Sequence, residues 1–210
     1  MWQSFRQTMG DKRTHFGRAG EYFAMSELLL RGWNVAVPVV DVGDDAFVID
    51  DREKVTRRVQ VKTSSVSPVE GGRRRATFRL SREQLRTPRP IELFYALMTR
   101  SEGRWAFLVI PREDLSAIRD AYVEGARLRP GPGRRPLGDE GAETDSLRLD
   151  LDFAGDAVEG WGASLGQYLN CWPEALGVLE GGPGSVGGGA TPEATSAFEE
   201  GLDRSRGRET

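Results

Sequence analysis

The stretch Gly20 to Thr63, GEYFAMSELLLRGWNVAVPVVDVGDDAFVIDDREKVTRRVQVKT, changes its hydrophobic period twice, and those changes decide the fold. From Phe16 to Arg31 the apolar residues recur at helical spacing. Ala19, Phe23 and Leu30 form one stripe, with Met25 and Leu28 beside it. Gly32 stands where such a helix stops. Trp33 to Val39 is then a β-branched run that reads as a strand, and Asp41, Gly43 and Asp44 supply turn chemistry. Ala46 to Ile49 reads as a second strand, Asp50 to Lys54 as a charged hairpin turn, and Val55 to Thr63 as a third strand. The expected order is helix, strand, hairpin, strand. The first fifteen residues show no clear periodicity.

Three polar features of this stretch stand out. Glu21 precedes Ala24, Met25 and Leu28 by three, four and seven residues, which puts a carboxylate at or beside the helix's apolar face. That position is costly unless a metal, an arginine or hydrogen bonds compensate it. Asp44 and Asp45 stand where the turn enters an apolar strand; Asp45 shares strand parity with Phe47 and Ile49 and is preferred as the inward-pointing acid. In Val59-Gln60-Val61-Lys62, period-two alternation sets the two valines on one face and Gln60 with Lys62 on the other. Such a set suits metal-assisted phosphodiester cleavage. A hard divalent cation takes oxygen ligands, which Asp45, Gln60 and Glu21 could provide, and Lys62 could position water or stabilise the transition state.

The same residues resemble the PD-(D/E)XK nuclease superfamily, in which an acid lies on a first helix, an aspartate opens a strand and (D/E/Q)-x-K follows on the next. Here Glu21, Asp45 and Gln60-Val61-Lys62 match that pattern. The GRAGE segment around Glu21, with Arg18 nearby, is similar to the resolvase-like branch, and Gln60 in place of the usual acid is similar to variants in a homing-endonuclease branch. The resemblance covers roughly residues 13–118. It implies a restriction-endonuclease-like core, an endonuclease that hydrolyses DNA with Mg²⁺ or Mn²⁺, and Glu21, Asp45, Gln60 and Lys62 as its catalytic set. Cutting both strands with such a site would ordinarily need two copies, which points to a homodimer.

Further along, Thr77 to Leu80 reads as a short extended piece, and Ser81 caps a helical SREQL turn. Strands are expected over Ile91 to Thr99 and Trp105 to Ile110, and a helix follows Pro111 with Leu115, Ile118 and Tyr122 at helical spacing. The expected fold class is α/β, a mixed central β-sheet flanked by helices, with a nuclease-like domain over 1–128. A Pro/Gly-rich connector follows over 129–146, then a strand-helix extension over 147–180. In that extension Leu147 to Phe153 reads as an edge or capping strand and Trp161 to Leu179 as an amphipathic helix. Residues 181–210 carry too little apolar content to fold and are expected to be disordered.

Composition narrows the chemistry. The 210 residues contain one histidine, His15, and one cysteine, Cys171. An internal disulfide, a thiolate zinc site and a multi-histidine metal site are therefore excluded. Cys171 reads as a buried small apolar residue. No run approaches the ~18 apolar residues of a membrane helix and no signal-peptide pattern opens the chain, so a cytoplasmic protein is expected. The net charge of −3 hides an asymmetry: residues 1–130 hold 23 Lys and Arg against 17 Asp and Glu, whereas 131–210 hold 6 against 15. A basic body with an acidic tail suits a polyanionic partner, with Arg13, Arg18 and a loop of Arg73, Arg74 and Arg75 as phosphate contacts. The rival reading is a nuclease-like fold without adequate metal affinity, acting as a nucleic-acid-binding or protein-interaction module; Gln60 favours it, whereas Glu21, Asp45 and Lys62 together favour the enzyme.

Overall fold

Strand β3, Val55–Pro68, is the organising element of the chain. The computed structural model describes residues 2–40, 43–128 and 145–180, with side chains from residue 14 onward except Arg127. The expected disordered tail and most of the connector lie outside the described residues.

Helix α1, Trp2–Leu30, precedes the three strands β1, Asn34–Ala36, β2, Ala46–Asp50, and β3. The helix begins well before Phe16, because residues 2–15 contain no proline to stop a helix already anchored by the packing of its later turns. Strand β1 is shorter than its β-branched run: Pro38 lacks an N–H for the ladder, and Val37, Val39 and Val40 are exposed. At the β2–β3 hairpin, the Asp50 carboxylate accepts the backbone N–H of Arg52 at 3.0 Å, and Lys54 takes the left-handed conformation.

Next come β4, Arg74–Ser81, the short helix α2, Arg82–Arg86, β5, Leu93–Ser101, β6, Arg104–Pro111, and α3, Arg112–Leu128. β3 pairs antiparallel with β2, parallel with β5 and, over its last three residues, antiparallel with β4. The sheet is therefore mixed and carries helices, as the α/β reading expects.

Two hydrophobic clusters divide by side-chain parity. Val59, Val61, Phe94, Ala96 and Met98 face α1, where Ala24 and Leu28 meet them. Tyr95, Leu97, Leu108 and Ile110 face the opposite way and join Leu85 of α2, Leu115 of α3 and the inner side of β4. Gly20 lets α1 approach β3 closely: a Cβ there would lie 2.1 Å from Thr63 Oγ1.

The last part of the described chain departs from expectation in three ways. β7, Ser146–Ala154, is an interior strand between β4 and β8, Ala157–Gly160, rather than an edge. Leu147, Leu149, Leu151 and Phe153 are all buried on one face, while Asp150 and Asp152 meet Thr77 and Arg75 of β4 on the other. The expected helix over Trp161 to Leu179 is instead β9, Ala163–Ser164, and two 3₁₀ turns, Gly166–Tyr168 and Glu174–Leu176. Positive φ at Trp161, Gly162 and Asn170, and Pro173 at the entrance to the second turn, break any helical run. Its apolar residues nevertheless pack: Leu165 joins one cluster and Leu176 the other. Cys171 is exposed, not buried, because its segment runs over the surface between those anchors.

Candidate functional site

β2 ends opposite Val59, and β4 joins β3 only from Val66. Between them, on the side away from β5, residues 60–65 have no strand partner. The N–H of Val61, left without a ladder bond by the end of β2, donates to Asp45 Oδ2 at 2.7 Å. Asp45 is thus held at the mouth of the gap by a backbone requirement. Gln60 Nε2 donates to the same oxygen, and Gln60 Oε1 accepts from Gln84 Nε2 at 3.3 Å. Gln60 is only 3% exposed.

The gap holds a pocket of about 290 Å³ lined by Gly43, Asp45, Gln60, Lys62, Ser81, Glu83, Gln84 and Arg89. Lys62 is half-buried and has no ion-pair partner among the described residues. Below the gap, the register sets Tyr95 of β5 beside Gln60. Burial pushes the Tyr95 hydroxyl well above its ordinary value, so it stays neutral.

The neighbours Asp44 and Asp45 take different environments. Asp44 is buried and meets the buried Arg58 at 3.4 Å, while Arg58 Nε donates to Ile91 O at 2.9 Å. Gln84 Nε2 ties the two environments together, donating to Asp44 Oδ1 at 3.1 Å and to Gly43 O at 2.6 Å. Ser81 fixes Gln84, because its Oγ caps α2 by accepting the Gln84 N–H at 3.2 Å.

Of the residues singled out in the sequence, Asp45, Gln60 and Lys62 line this pocket. Glu21 does not: its carboxylate takes Arg18 at 2.5 Å. The hydrogen bond and charge of Glu21 raise the Arg18 guanidinium above its ordinary value, with a smaller contribution from Asp45. The side chain of Arg13 lies outside the described residues. Arg73 to Arg75 do not form a loop: only Arg73 precedes the strand. Arg74 and Arg75 open β4, where Arg74 bonds Ser101 at 2.7 Å and Arg75 forks onto both oxygens of Asp152 at 2.6 and 2.7 Å. Eight residues of strand put them roughly 20 Å from the Ser81 end, where the pocket lies.

The sequence reading missed Gln84, Glu83 and Arg89 as pocket residues. SREQL was legible as a capped turn, but nothing local says that its amide reaches back 41 residues to Gly43 O.

No family model matches this chain, and no curated protein matches it at significance. Among solved structures, a bacterial homing endonuclease overlays with a TM-score of 0.36 and 23% identity, over 50% of this chain and 72% of that one.

Proposed function

We propose that the protein is a divalent-metal-dependent endonuclease that hydrolyses phosphodiester bonds in DNA at the pocket between β3 and β4. The observation that carries this reading is the convergence of Asp45, Gln60 and Lys62 in one pocket at an open stretch of β3, in the order that resembles the PD-(D/E)XK pattern. Asp45 and Gln60 offer oxygen donors suited to Mg²⁺ or Mn²⁺. The fit requires one adjustment, since Gln60 turns its Nε2 toward Asp45. The terminal amide torsion is broad and two-fold, so a half-turn brings Oε1 beside the carboxylate and gives up the long bond from Gln84 Nε2, which keeps its bonds to Gly43 O and Asp44. The cation would acidify a water and neutralise charge on the scissile phosphate.

Lys62 then holds its ammonium where charge develops on the phosphate in the transition state. Asp45 stays fixed by the Val61 N–H whichever way the amide points. Glu21 is paired with Arg18 and is not among the residues that line the pocket. A plasmid-nicking assay with Mn²⁺ tests the reading: the wild type cuts and Lys62→Ala does not. Equal cutting by a folded Lys62→Ala protein overturns it.

A second reading, a nuclease-like fold that binds without cutting, draws on a specific observation. Among the described residues no group of three acidic, histidine or cysteine side chains could hold a metal ion. Calorimetric titration with Mn²⁺ separates the two, since the binder takes up DNA without metal heat.

A further inference from the structure

Resting on the reading of the pocket as a phosphodiester site, we infer that Arg89 binds a DNA backbone phosphate beside the scissile one and that Glu83 competes with that phosphate for the guanidinium. Arg89 is the arginine among the described pocket-lining residues. Seven other arginines among the described residues sit closer to their carboxylates: Arg18 at 2.5 Å, Arg75 at 2.6 Å, Arg31 at 2.7 Å, Arg148 at 3.0 Å, Arg57 and Arg58 at 3.4 Å, and Arg74 at 3.5 Å. Arg89 meets Glu83 at 4.0 Å, with side chains 45% and 79% exposed, so this contact is easily exchanged. A guanidinium presents a fork that fits phosphate oxygens, and a phosphate diester makes a stronger, charge-assisted bond than a distant exposed carboxylate.

The backbone favours this role as well. Arg89 sits between Pro88 and Pro90. The ring of Pro90 restricts the residue before it to extended conformations, and Pro88 fixes the approach of the chain. The side chain therefore leaves a stiff segment on the α2 side of the pocket, while Lys62 leaves β3 on the other. A strand lying across the pocket meets one cation from each wall.

The test is DNA binding by the full chain in EDTA, where nothing is cut, followed by fluorescence anisotropy of a labelled duplex from 50 to 200 mM salt. Arg89→Ala is expected to weaken binding and lower the slope of log affinity against log salt by about 0.9, the value for one phosphate contact. Glu83→Gln is expected to tighten binding, and to do so only while Arg89 is present. Three results overturn the inference: a wild-type slope in Arg89→Ala, equal tightening by Glu83→Gln with and without Arg89, or no DNA binding by the wild type. Nicking with Mn²⁺ keeps the two readings apart. A wild type that binds with the Arg89-dependent slope but never cuts leaves the phosphate contact standing and removes the enzyme. A wild type that cuts while Arg89→Ala keeps the full slope does the reverse.

Discussion

Two polar faces of this molecule, the β4–β7 ladder and the open stretch of β3, begin from the same alternation of apolar and charged residues. In the ladder, directly opposed strands bring Arg75 onto Asp152 as an ion pair and the Thr77 hydroxyl onto Asp150 as a hydrogen-bond donor, so the polar groups satisfy one another across the strands. Along β3, the departure of β2 and the late arrival of β4 leave Gln60 and Lys62 paired with β5 on one side and with no strand on the other, and there they line a pocket. A charged strand face becomes a site only where pairing stops. Asp44 and Asp45, adjacent in sequence, divide in the same way: one completes a buried ion pair and the other accepts an orphaned N–H at the pocket mouth.

The largest effect should come from dividing that pair of aspartates. Asp44→Ala strands Arg58 as an uncompensated buried charge and is expected to cost about 3–5 kcal/mol. Asp45→Asn loses a charge-assisted acceptor at a partly open site and is expected to cost about 1–3 kcal/mol. Urea denaturation of both variants measures the difference; equal losses would show that the two carboxylates share one environment.

Next in size, Lys62→Ala should lower the cleavage rate by about 10²–10³-fold, as for loss of a donor to a developing oxyanion, with circular dichroism unchanged. Arg75→Ala, on the paired face, should leave the rate as it is. Comparable loss from both would remove the distinction between paired and open faces.

Smaller again is Gln60→Glu. It sets a carboxylate against Asp45 and deletes the amide donor, so the metal-free protein should melt lower. Mn²⁺ should then bind the variant more tightly than the wild type, because the ligand charge has risen. Thermal melts with and without Mn²⁺ read this directly, and an identical metal response in the two proteins would exclude Gln60 as a ligand.

The smallest effect concerns Asp152, whose carboxyl is held below its ordinary value by the hydrogen bond and charge of Arg75. A depressed carboxyl adds stability above its unfolded pKa, about 3.9, and loses it as the pH falls through the lower folded value. Arg75→Ala should therefore lower the Tm slightly at pH 7, and the difference from wild type should shrink as the pH falls below about 3.9 and vanish in acid once Asp152 is protonated in the folded state too. A difference that persists there would mean Arg75 acts through packing alone.

Much of the molecule was legible before folding. Period-two and period-3.6 patterns located α1, β2, β3 and α3, and the same parity set Val59 and Val61 apart from Gln60 and Lys62. These are local signals, fixed by how side chains leave a helix or strand. The failures were also local in origin. The apolar residues of Trp161 to Leu179 fit a helix by spacing, yet left-handed φ values at Trp161 and Asn170 serve a chain crossing between the two clusters. Three consecutive arginines read as one loop, but Arg74 and Arg75 open β4, where Asp152, 77 residues away from Arg75, pairs with one of them.

The sequence by itself determined that any chemistry must use carboxylates, amides, hydroxyls or lysine, since one histidine and one cysteine leave little else. It determined too that Asp45 stands at the entry to one strand of a hairpin and that Gln60 and Lys62 share a face of the next, because hairpin spacing and alternation are written in near neighbours. Only the tertiary structure decided where β3 loses its partner strand, that Glu21 is taken by Arg18, and that Gln84, Glu83 and Arg89 form the far wall. The physical reason is range. Secondary structure answers to dihedral preferences and periodicity over a few residues, whereas a pocket exists where distant segments diverge, and that is set by the packing of the whole core.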